Sequence, residues 1–221
     1  MRPDRKLLDI LTEADEAEQV AFTRHLCEKV LSDWPDHGAT LIRYACCLIE
    51  LALYDDAAKV LDHAEAVVPK ERIHLVFAQR GHCLEHMGDY VASERQHLKA
   101  HELDPEDATY LIYAGAVAFR RGDIQRAEEL ARKAIACSEG CIDEAYFNLG
   151  GYLLAQKRYD EARECYLRAL EVDPEYSIAR KRLEDLDRVL KDKGEQIGAG
   201  NRSQPCEPGT SPTPPAAGSG A

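Results

Sequence analysis

Apolar residues recur at helical spacing along most of the chain, with polar residues between them. Residues 146–174, YFNLGGYLLAQKRYDEARECYLRALEVDP, divide into two helical halves with no run of strand formers. Gly150 and Gly151 interrupt the first half, each at a cost of about 1 kcal/mol against Ala in a helix interior. Near the N-terminus, Val20, Leu26, Cys27, Val30 and Leu31 keep helical spacing. Near the C-terminus, Ile178, Leu183, Leu186 and Leu190 form one apolar stripe among charges. From Gly194 onward the chain is rich in Gly, Pro, Ser and Ala and loses apolar periodicity, which predicts a disordered tail over 194–221. The pattern predicts an all-α protein.

The helical pattern repeats. Prolines stand at Pro35, Pro69, Pro105 and Pro174, and related segments begin near Gly38, His74, Ala108 and Asp143, at steps of 36, 34 and 35 residues. A small residue recurs midway through each first helix: Ala45, Gly81, Gly115, Gly150. Others recur early (Ala57, Ser93, Ala127, Ala162) and late (Ala64, Ala100, Ala134, Ala169) in each second helix. Two antiparallel helices approach closely only where facing positions lack bulk, so closer packing offsets the cost of Gly150. Gly88-Asp89-Tyr90 and Gly122-Asp123-Ile124 are expected to turn between helices. Glycine accepts positive φ at the end of the first, and Asp caps the start of the second. The last repeat keeps Tyr159 but lacks that Gly. The third has Glu139 where proline is expected, with Gly140 and Cys141 to make the turn.

These small, aromatic and proline positions, in register over residues 38–176, resemble the tetratricopeptide repeat family. The resemblance implies an α-solenoid of antiparallel helix pairs. The expected organisation is a degenerate N-terminal helical repeat over 1–37 and repeats over 38–71, 74–107, 108–141 and 143–176. A capping helix over 177–193 and the tail follow. In this family the first helix of each repeat lines a concave groove that holds a peptide or partner helix. Carried over, the groove positions are Ile42, Arg43, Cys46 and Glu50, then Gln79, His82 and His86, then Ile112, Tyr113, Ala116 and Arg120, then Phe147, Asn148 and Gly151. Tyr113 and Phe147 are the expected aromatic anchors, and Asn148 can pair with a peptide amide. Relatives that bind chaperone C-termini use a clamp of Lys, Asn and Arg. The corresponding positions here hold Ile42, Cys46, Gln79, Thr109 and Tyr113, or, one repeat on, Ala78, His82, Tyr113, Glu144 and Asn148. Neither set supplies the cations for a C-terminal carboxylate.

Composition narrows the partner. A net charge of −12 argues against nucleic acid and an anionic membrane surface. No stretch has the roughly 20 apolar residues of a membrane span, and the acidic run from Glu13 to Glu18 interrupts any signal-peptide core, so a cytoplasmic location is expected. The eight cysteines include no Cys-x-x-Cys pair and read as reduced thiols within helices. His82/His86 and His97/His101 stand at i, i+4, but the first pair falls on the groove side and His97 on the core side, so the pairs are not expected to converge on a metal. No cofactor, metal or catalytic pair is predicted, and the chain reads as non-enzymatic. The expected function is a scaffold that binds a protein or peptide partner. A chaperone-like holder of a secreted or translocator protein is an alternative reading, and a metal-binding sensor a third. Pairing of terminal repeats in a homodimer stays open.

Overall fold

The computed structural model describes residues 5–200 and, among them, eleven α-helices and no named strand. Helices α1 (Arg5–Glu16) and α2 (Val20–Asp33) form the N-terminal pair. Four pairs follow: α3 (Gly38–Glu50) with α4 (Tyr54–Val67), α5 (Ile73–His86) with α6 (Tyr90–Leu103), α7 (Thr109–Arg120) with α8 (Ile124–Ile135), and α9 (Ile142–Ala155) with α10 (Tyr159–Val172). A final helix, α11, spans Ser177–Gly200. Within each pair a short turn folds the second helix back on the first, and each pair then stacks on the next to make an α-solenoid.

The turns follow from backbone chemistry. Gly88 and Gly122 take φ of 83° and 89°, and Asp89 and Asp123 cap the helices that follow by accepting from the Ala92 and Arg126 amides. Where the glycine is missing, Ala52 and Lys157 take the same left-handed conformation, with φ of 58° and 63°. The third repeat closes differently. Glu139 donates its amide to the Glu106 carbonyl at 2.9 Å and accepts from the Ala108 amide at 3.0 Å, while Gly140 turns at φ 90°. Proline at 139 could not make the first of these bonds.

The core runs along the pair interfaces. Leu11, Ala14, Leu26, Cys27 and Val30 bury together in the N-terminal pair, and a larger cluster joins α7 to α11. Carboxylates tie successive pairs: buried Glu94 meets Arg121 at 3.2 Å and Arg126 at 2.9 Å, and half-buried Glu128, one repeat later, meets Arg158 at 2.8 Å.

Two expectations need correction on α11. Ile178 is exposed, and Ala179 takes the buried place, so the stripe runs through Ala179, Leu183, Leu186 and Leu190. The helix also continues through residues 194–200, which were expected to begin the tail. The rest of that segment, 201–221, lies outside the described residues.

Candidate functional site

The expected groove residues separate into distinct neighbourhoods. Arg120, Phe147 and Asn148 come together in one cleft of about 360 Å³. Helix α7 contributes Ala116, Phe119 and Arg120, and α9 contributes Phe147, Asn148, Gly151, Tyr152 and Leu154. Tyr166 of α10 and Arg182 of α11 complete the wall. Its aromatic rings support one another, with centroids 5.0 Å apart for Phe119 and Tyr152, 5.8 Å for Phe147 and Tyr166, and 5.3 Å for Phe147 and Tyr176. Glu144 bonds to Asn148, and burial raises its carboxyl above the ordinary value despite that bond. Gly151 has open space where a Cβ would stand, so its lack of a side chain leaves the cleft clear. Gly150 faces the other way, where a Cβ would lie 2.6 Å from the Tyr166 ring.

Five members of this wall escaped the sequence: Phe119, Tyr152, Leu154, Tyr166 and Arg182. Arg182 belongs to the terminal helix, outside the first-helix register that the family pattern supplies. Phe119 is 39% exposed beside Arg120. An apolar residue left exposed next to a groove position was the available signal for it.

His82 and Tyr113 lie in a second cluster. The Tyr113 ring meets His82 edge-on at 4.5 Å, and His82 meets His97 edge-on at 4.9 Å. This corrects the expectation that the two histidine pairs stay apart: α5 and α6 cross where Gly81 lies, and one member of each pair converges there. Glu85 joins them. His82 Nδ1 stands 3.8 Å from one carboxylate oxygen, an ion-pair distance, and Arg120 Nη1 stands 2.5 Å from the other. His82 foremost, with Arg120 supporting, holds the Glu85 carboxyl below its ordinary value. His97 is fully buried, and neither of its ring nitrogens has a hydrogen-bond partner. Burial pushes its imidazole down to about 3, so the ring is neutral near pH 7. Each unpartnered buried polar atom costs about 1–3 kcal/mol.

The remaining expected residues do not reach either cluster. Ile42 packs against the core of the α3–α4 pair. Arg43 turns back to Asp15 of α1 at 3.0 Å. Gln79 is half-buried on α5, and exposed His86 stacks on Tyr54 at 6.2 Å.

Stacked helix pairs enclosing an aromatic cleft define an α-solenoid module. Tetratricopeptide repeat models match residues 12–79, 80–140 and 143–176, and the chain belongs to the tetratricopeptide repeat family. Small glutamine-rich tetratricopeptide repeat-containing protein 2 of Mycosarcoma maydis is 33% identical over 95 residues, which are 43% of this chain and only 27% of that protein. Among solved structures, the APC/C hetero-tetramer Cut9–Hcn1 contains a chain similar over 84% of this one and 36% of its own length, at 18% identity and a TM-score of 0.66. A thermophilic repeat protein of Thermus thermophilus is similar over 82% of this chain and 97% of its own, at 19% identity and a TM-score of 0.62. At such identities the likeness is one of fold. Among the described residues no helix is long and apolar enough to cross a membrane.

Proposed function

We propose that the chain is a non-enzymatic interaction scaffold that holds a peptide or helix of a partner protein in the cleft of α7, α9, α10 and α11. Proteins of this family are in general interaction scaffolds. One observation carries the reading here: the cleft joins aromatic faces to side-chain donors in a single wall. Its volume of about 360 Å³ falls in the range of ligand-sized concavities. Phe119 and Phe147 offer apolar faces, while Asn148 and Arg182 offer donors. The matching segment has a bulky apolar residue followed by a carboxylate: the first loses apolar surface to water, the second pairs with a guanidinium. Helix α11 serves both as wall and as cap, with Leu186 buried against the last pair.

Panning a displayed peptide library against the full chain should enrich segments of this kind. The double variant Phe119→Ala/Arg182→Glu should bind the enriched peptides at least about tenfold more weakly, the loss of one modest hot spot. Both residues are exposed, so its circular dichroism and melting should match wild type. Peptides that bind both proteins equally would move the binding site off this cleft.

A further inference from the structure

We propose that His82, Glu85 and His97 bind one divalent cation of the zinc type. His82 and Glu85 stand about one turn apart on α5, and His97 enters from α6. One donor atom from each lies within 4.8 Å of the other two. Bonds of about 2.0–2.2 Å place tetrahedral donors roughly 3.3 Å apart, so modest side-chain rotations close the shell. Two imidazoles and one carboxylate are a donor set that zinc takes with a fourth position left open.

The second observation is His97 itself. The chain makes room for an imidazole here and gives it nothing to bond. A Cβ at Gly81 would lie 2.4 Å from the ring, so the glycine is what admits it. Both ring nitrogens are then buried without a partner. An apolar side chain would fill the same space without burying two polar atoms. A metal ion uses one of them, and the neighbours that would share the ion are already adjacent.

The surroundings fit a held ligand set. Arg120 keeps one oxygen of Glu85, which leaves the other turned toward His82. An outer partner of this kind fixes the orientation of a ligating carboxylate. The Tyr113 ring walls the cluster on the α7 side. A bound ion would tie α5 to α6 and, through Arg120, to α7.

The test uses the untagged 221-residue chain, stripped of metal by a chelator and titrated with Zn²⁺ by calorimetry. Nitrogen-edited NMR follows the histidine rings. One equivalent should bind with micromolar or tighter affinity, and the ring signals of His82 and His97 should shift. His97→Leu and Glu85→Gln should each lower affinity at least about tenfold, as the loss of a ligand does. His25→Gln, at an exposed position outside the cluster, should leave it unchanged. Should His97→Leu fail to fold, Glu85→Gln and the ring signals decide. Binding that survives both variants, with the His82 and His97 ring signals unmoved, would place the ion elsewhere and overturn the proposal. So would no binding at about 100 µM Zn²⁺, a free energy too small for a built site.

Discussion

The second and last helix pairs pack a ring against a glycine at the same register, yet the rings differ in kind. His97 and Tyr166 each stand sixteen residues after the glycine they face, Gly81 and Gly150. A Cβ would come within 2.4 Å of the first ring and 2.6 Å of the second, so both glycines are steric requirements. Tyr166 is buried and packs on Phe147, which places it in the cleft wall. His97 fills the equivalent space with an imidazole whose nitrogens have no partner. The third pair shows the same register without the constraint. Ala131 takes the ring position, and a Cβ at Gly115 would meet nothing closer than 3.5 Å. In the N-terminal pair the sizes are exchanged, with Leu11 on the first helix and Cys27 on the second. Outside the third pair, where both residues are small, large on one helix meets small on the other, and the chemistry carried by the large side chain is free to vary. One pair uses the freedom for an aromatic cleft wall and another for a cluster of donors.

The comparison is broken most directly by adding the missing methyl groups. Gly150→Ala and Gly81→Ala should each destabilise the fold by about 1–3 kcal/mol, the usual cost of overpacking, read from urea unfolding. The helix-propensity gain of about 1 kcal/mol offsets part of the clash. A neutral result at either position would mean that its ring moves aside and the glycine is not compelled. Somewhat smaller, and opposite in sign, is His97→Leu in metal-free protein. Removing two unpaired buried nitrogens, partly offset by the imperfect fit of a branched side chain in the space of a ring, should stabilise by about 1–2 kcal/mol. A loss of stability would show that the imidazole is held by bonds the structure lacks. Smallest are Gly115→Ala and Gly151→Ala, which should raise stability by about 0.5–1 kcal/mol, because both sites have room for a methyl group. Destabilisation at Gly151, beside the intolerant Gly150, would mean that the cleft is narrower there than described.

Much of the fold was legible because its signals are local. Gly88, Gly122, Asp89 and Asp123 act through backbone conformation and capping, which depend on a few neighbouring residues. Ile178 was misplaced because a stripe read from spacing fixes the helix's rotation only to within about one position, and the buried residue is its neighbour Ala179. The candidate site was legible only in part. Arg120, Phe147 and Asn148 share a cleft as the groove register implies, but Ile42 and Arg43 are drawn to partners in the two N-terminal pairs.

By itself the sequence determined the helix pairs, their turns and the repeat that stacks them. These depend on period, small residues and turn chemistry, each written within about one repeat. Tertiary structure alone decided which side chains meet across a crossing. It set His97 against His82 and Glu85, and brought Arg182 from the last helix to a wall built by α7 and α9. Such meetings depend on the rotation and spacing of packed helices, which no single segment encodes.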